Sequence, residues 1–258
     1  MSLIVAGISD SGGIHLVAET KITWAGDPLR TSQVWANPWR KLLILRSDLA
    51  VGITGAGYEE ACQHLVTAAR HGSADHVAWA ASDLADSDVL VASLDPTRLV
   101  RTRFGNRRDE TASRRAWAGD ESAYDKFQIW ESPYFGGVED LGLQAPMQTL
   151  ANLGAHGSVG GYTLRVDTHD NAFQFTPTPM VVPGAFEACV LAGARSTPGA
   201  LGIHLPRCGT GYLYSQEQPW EPIEVSAERC EDLVGAAADV LGQALALGGG
   251  CRPMGTVP

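Results

Sequence analysis

A chain of 258 residues with 45% apolar content carries enough material for one large buried core or two small ones. Its formal charge of −10 argues against a general nucleic-acid binder and against attraction to anionic lipid. No run of about 18 apolar residues exists, so no transmembrane helix is expected, and no basic residue precedes the first apolar stretch, so no signal peptide is expected.

The first predicted strands cover 2–8 and 14–18, flanking the turn-rich Ser9-Asp-Ser-Gly-Gly13. A second pair covers 42–45 and 49–54. All four are rich in Ile, Leu and Val on both alternations, which predicts a sheet covered on both faces. Tyr58, Ala61, Cys62, Leu65, Val66 and Ala69 then recur at helical spacing. A second helix is expected over 75–84. Strands follow at 89–93, 99–103 and 115–118, then helices at 121–130 and 143–153, then a hairpin of 158–166 with 172–175. The Pro-, Thr- and Gly-rich segment 176–199 reads as a long crossing loop. A last hairpin (201–205 with 211–214) precedes a final helix over 227–247, and the glycine-rich 248–258 reads as a disordered tail.

The five cysteines, Cys62, Cys189, Cys208, Cys230 and Cys251, are odd in number and form no CxxC. They read as free thiols in a reducing cytoplasm, not as a disulfide framework or zinc site. Asp167-Thr-His-Asp170 lies in a predicted hairpin turn, where Asp is expected in any case, and no HExxH spacing occurs. No metal and no cofactor are expected.

Ser2 follows Met1 directly. Removal of Met1 leaves a serine with a hydroxyl and an α-amine that titrates at about 7.7–8.0 when unperturbed. Such a residue can act as both nucleophile and base.

Several stretches then fall into a known order. Gly13-Ile-His-Leu-Val-Ala-Glu-Thr-Lys21 resembles the second strand of proteasome β subunits and their bacterial ring-forming relatives, and Asn37-Pro-Trp-Arg-Lys-Leu42 resembles the approach to their third strand. Leu49-Ala-Val-Gly-Ile-Thr-Gly-Ala-Gly-Tyr-Glu-Glu60 resembles their fourth strand and the turn into the first helix. Ala116-Trp-Ala-Gly-Asp-Glu-Ser122 and Ser158-Val-Gly-Gly161 resemble two later turns. The likeness covers about residues 2–175 and points to a divergent bacterial member of the N-terminal-nucleophile (Ntn) hydrolases.

The resemblance implies an α+β, four-layer αββα sandwich over 1–247, with a core of 2–175 and an elaboration at 176–247. It implies that Ser2 is the nucleophile, that Glu19 orients the site and that the Gly55 N–H supports the oxyanion. His156 stands where the family has an aspartate near the α-amine, and a histidine there can shuttle a proton. The family's catalytic lysine maps onto Asn37 and is therefore missing; Lys21, Arg40 and Lys41 are candidates for a compensating charge but read first as surface or strand-flanking residues. Asp120 reads as a helix N-cap. The implied activity is amide or peptide bond hydrolysis in the cytoplasm, with a peptide or amide substrate and self-assembly into rings or stacked rings. The alternative is a catalytically silent ring subunit or interaction module of the same fold.

Overall fold

A computed structural model describes residues 2–21, 38–131, 142–152, 157–176, 178–182 and 186–246. Met1, Asn37, His156 and the predicted tail 248–258 lie outside the described residues. The chain separates into two compact units, Met1–Phe173 and Gln174–Pro258.

In the first unit β1 (Leu3–Ile8), β2 (Ile14–Glu19), β8 (Arg115–Gly119), β9 (Thr163–His169) and β10 (Ala172–Phe175) form one sheet, in the order β10-β9-β2-β1-β8. A second sheet has the order β3-β4-β5-β6-β7, from β3 (Leu42–Arg46), β4 (Leu49–Gly55), β5 (Ser87–Leu94), β6 (Thr97–Arg103) and β7 (Asn106–Asp109). Strand alternation sets which face meets what. Leu3, Val5 and Val17 pack under α3 (Glu121–Trp130) and α4 (Gln144–Asn152), against Phe127, Met147 and Leu150. Ile4 faces the other way, onto the second sheet, where a Cβ on Gly52 would come 2.8 Å from Ile4 Cγ2. Gly52 therefore sets how closely the sheets approach. Against the second sheet pack α1 (Tyr58–His71) and α2 (Ala74–Ser82). The stripe of α1 is buried, with Glu59 and Glu60 in its first turn and Arg70 and His71 in its last, matching the helix dipole.

The second unit holds a third antiparallel sheet: β11 (Thr178–Val182), β12 (Phe186–Gly193), β13 (Leu201–Leu205), β14 (Thr210–Tyr214) and β15 (Ile223–Ser226) in that order, with β16 (Leu245–Ala246) on β12. Its helix, α5 (Cys230–Ala236), packs Leu233 on Leu191 and Leu213, and Ala237, just past its end, joins the same cluster.

The expectation of a single four-layer αββα sandwich is thereby corrected: the described residues form three antiparallel sheets, not two. The expected loop 176–199 contains β11 and β12. Its prolines misled because Pro179 lies on β11, an edge strand, where a missing N–H is tolerated. The expected helix 227–247 is also corrected. After α5 a π-helical turn, Ala237–Leu241, ends at Gly242 in the left-handed conformation (φ +62°). Cys189 is disulfide-bonded, against the expectation of free thiols, whereas Cys62, Cys208 and Cys230 are free. Among the described residues no helix is long and apolar enough to cross a membrane.

Candidate active site

At one end of the two sheets of the first unit, a set of polar side chains is buried: Glu19, Thr20, Lys41 and Thr54. Burial of that kind is costly unless each group is bonded. Glu19 ends β2, and three donors converge on its carboxylate. Oε1 accepts from Lys41 Nζ at 2.5 Å and from the Leu3 backbone N–H at 3.3 Å, while Oε2 accepts from the Lys21 backbone N–H at 2.7 Å. One oxygen thus joins the lysine to the first peptide unit after Ser2. Lys41 Nζ also donates to the Lys21 carbonyl.

Local structure fixes Lys41 where it is. Its carbonyl accepts from Ile53 N at 2.9 Å, tying it to β4, and Trp39 N donates to Thr20 O at 3.0 Å, tying its approach to the end of β2. Arg40 is buried too, with Nε on Leu42 O at 2.9 Å and its own carbonyl accepting from Tyr58 Oη. The expectation that Arg40 and Lys41 flank the strand at the surface is corrected. Lys41, one of the three residues considered as a compensating charge, pairs with Glu19 beside the start of β1.

Burial dominates the electrostatics of the pair. Desolvation lowers the proton affinity of the Lys41 amine, and the nearby Lys21 charge pushes the same way, against the attraction of Glu19. Desolvation raises the Glu19 carboxyl, against the Lys41 charge and the Leu3 and Lys21 amides. The two shifts run in opposite directions and share one cause, burial of both charges.

Ser2 is buried just before β1, and its carbonyl accepts from Asp120 N at 2.8 Å. Gly119, its neighbour on β8, has φ +107°, and a Cβ there would fall 1.9 Å from Ser2 O; only glycine fits. The same Cβ position lies 3.3 Å from Thr54 Oγ1, which brings the end of β4 to the Ser2 carbonyl. Asp88 holds this corner. It accepts from Gly119 N at 2.9 Å and is gripped by Arg101 at 3.2 and 2.8 Å, with that guanidinium 3.8 Å above Trp117. Asp120 caps α3, accepting from Ser122 N at 3.0 Å and Ala123 N at 3.3 Å.

Gly55 follows Thr54 at the exposed end of β4 with φ +124°, and a Cβ there would lie 2.3 Å from Asp86 O. That steric demand accounts for the glycine on its own. The turn 158–161 docks on the end of β2: Lys21 N donates to Gly160 O at 3.1 Å, Lys21 Nζ to Gly157 O at 2.8 Å, and Tyr162 N to Thr20 Oγ1 at 2.8 Å. Of the four site residues expected from sequence, Ser2 and Glu19 are brought together and Gly55 lies at the adjoining strand end; His156 is outside the described residues. Thr54, Gly119 and Asp88 were missed, and Lys41 was weighed only as a candidate compensating charge. Lys41 stood in plain view, next to an apolar strand, but a lysine in that position reads equally well as a solvated flank.

No family model matches this chain, and no curated protein matches it in sequence.

Proposed function

We propose that this protein is an N-terminal-nucleophile hydrolase of amide or peptide bonds. The observation that carries the proposal is the buried Glu19–Lys41 pair, bonded through one carboxylate oxygen to the peptide unit that follows Ser2. With Met1 removed, the Ser2 hydroxyl attacks the substrate carbonyl. Its proton passes to the α-amine or to Lys41, whose lowered proton affinity suits it to accept one. An acyl-enzyme forms, and water attacking from the same side releases the acid. The Gly55 N–H supports the oxyanion in this scheme. No cofactor takes part. The proposal extends to self-association into rings and to a cytoplasmic location, although the disulfide at Cys189 removes the cysteine argument for that compartment.

The test begins with intact mass, since a retained Met1 blocks the amine and ends the proposal. The processed protein should take up one equivalent of an N-terminal-nucleophile-directed electrophile, and Ser2→Ala should take up none. Lys41→Met should label more slowly, by about 10²-fold or more.

The second reading is a catalytically silent subunit or interaction module. Labelling that is the same in Ser2→Ala and the parent protein supports that reading.

A further inference from the structure

The second unit contains a thiol, a base and an orienting group in one line. Cys230 Sγ lies 3.3 Å from His204 Nδ1, and His204 Nε2 lies 3.0 Å from the Ala227 carbonyl. A carbonyl can only accept, so Nε2 carries the ring proton and Nδ1 presents a lone pair to the sulfur. His204 is buried on β13, and Ala227 is itself anchored by its N–H on Gly209 O at 2.9 Å. The imidazole therefore has one tautomer and one orientation. Cys230, the first residue of α5, is half-buried and remains within reach of a small molecule.

We infer that Cys230 is a base-assisted nucleophilic thiol, a site of covalent modification by small neutral α,β-unsaturated carbonyl compounds. In the reaction the S–H proton moves to His204 Nδ1. The sulfur pair forms a C–S bond to the β-carbon, and the C=C π electrons shift to give an enolate. The imidazolium then returns its proton to the α-carbon, so no oxidant or further reactant is consumed. The surroundings select the electrophile. Cys230 packs against the apolar cluster of Leu191, Leu213, Ala227 and Leu233, which favours an uncharged reagent, and Glu231 beside it disfavours an anionic one. Burial and Glu231 also hold the resting thiol above its ordinary range, so it needs the imidazole to ionise.

The full chain, treated with N-ethylmaleimide and followed by intact mass and peptide mapping, supplies the test. Exposed Cys208 is the internal control. Cys230 should form an adduct, and His204→Gln should slow that adduct by about tenfold or more while leaving the Cys208 rate unchanged. The glutamine amide can still donate to the Ala227 carbonyl, which preserves the packing while removing the base. A wild-type measurement stands beside the variant. On lowering the pH from 8.5 to 7, the Cys230 rate should fall less steeply than that of Cys208. Equal slopes, no Cys230 adduct once Cys208 is fully modified, or equal rates in His204→Gln each overturn the assignment.

Discussion

At the scale of single residues, the buried Glu19–Lys41 pair bears on stability whatever the chemistry of the site. Each charge is tolerated in a dry interior only because of the other. Lys41→Met leaves the Glu19 carboxylate buried and unmatched, and Glu19→Gln does the same to the ammonium. Each single change should cost about 3–5 kcal/mol, read from urea unfolding, and the double variant should cost less than either. Additive losses would mean that the two groups are not coupled. Asp109 offers a second residue-scale test. Its bonds to Thr111 and the Arg98 guanidinium lower its carboxyl from the ordinary 3.8 to about 2. Between those values the folded protein binds fewer protons than the unfolded chain. The contribution is thus complete above about pH 4 and is lost as the pH falls towards 2. The melting temperatures of the parent and Asp109→Asn should differ at pH 5 and converge near pH 2.

At the scale of elements, glycines mark where strands run out of room. Gly12 and Gly119 both have positive φ, but nothing lies within 4 Å of a Cβ on Gly12, whereas one on Gly119 overlaps the Ser2 carbonyl. Gly12→Ala should cost about 1–2 kcal/mol from backbone conformation alone. Gly119→Ala should cost clearly more, and it should displace β1 from β8 and abolish any Ser2-dependent labelling. Equal losses in chemical denaturation would show that the close approach is unimportant. Periodicity made many of the elements legible. The helix over 121–130 has the boundaries read from sequence, because Asp120 is a strong cap and Phe127 sits on a clear apolar face. Legibility failed where one signal had two meanings. Residues 158–162 look extended, yet Gly161 turns at φ +79° and β9 begins only at Thr163. The alanine- and leucine-rich 227–247 looks helical throughout, yet Gly242 breaks it.

At the scale of the whole molecule, what sequence reasoning could not supply was the count of cores. The first unit closes its core with residues such as Leu3, Phe127 and Leu150, and the second with Leu191, Leu213 and Leu233. Both draw on the same apolar alphabet, so composition gives one total and no partition. The pairing of Lys41 was illegible for a related reason: the Glu19–Lys41 contact joins β2 to the approach of β3 across 22 positions, and nothing local in the sequence chooses Lys41 over Lys21 or Arg40. The second core can be tested through Leu233. Its δ carbons fill the space left by two glycines, lying 3.2 Å from a Cβ position on Gly202 and 2.4 Å from one on Gly211. Removing those carbons opens a cavity in a buried cluster, so Leu233→Ala should cost about 2–5 kcal/mol. Hydrogen exchange followed by mass spectrometry should show where the loss falls. Protection should drop in α5 and in β12–β14 and hold in β1, β2 and β8, because the cluster that loses Leu233 contains no residue of the first unit. Protection lost equally in β1 would mean that the two clusters unfold as one cooperative body, and the third sheet would then have to be counted as part of the scaffold that holds Glu19 and Lys41 in place.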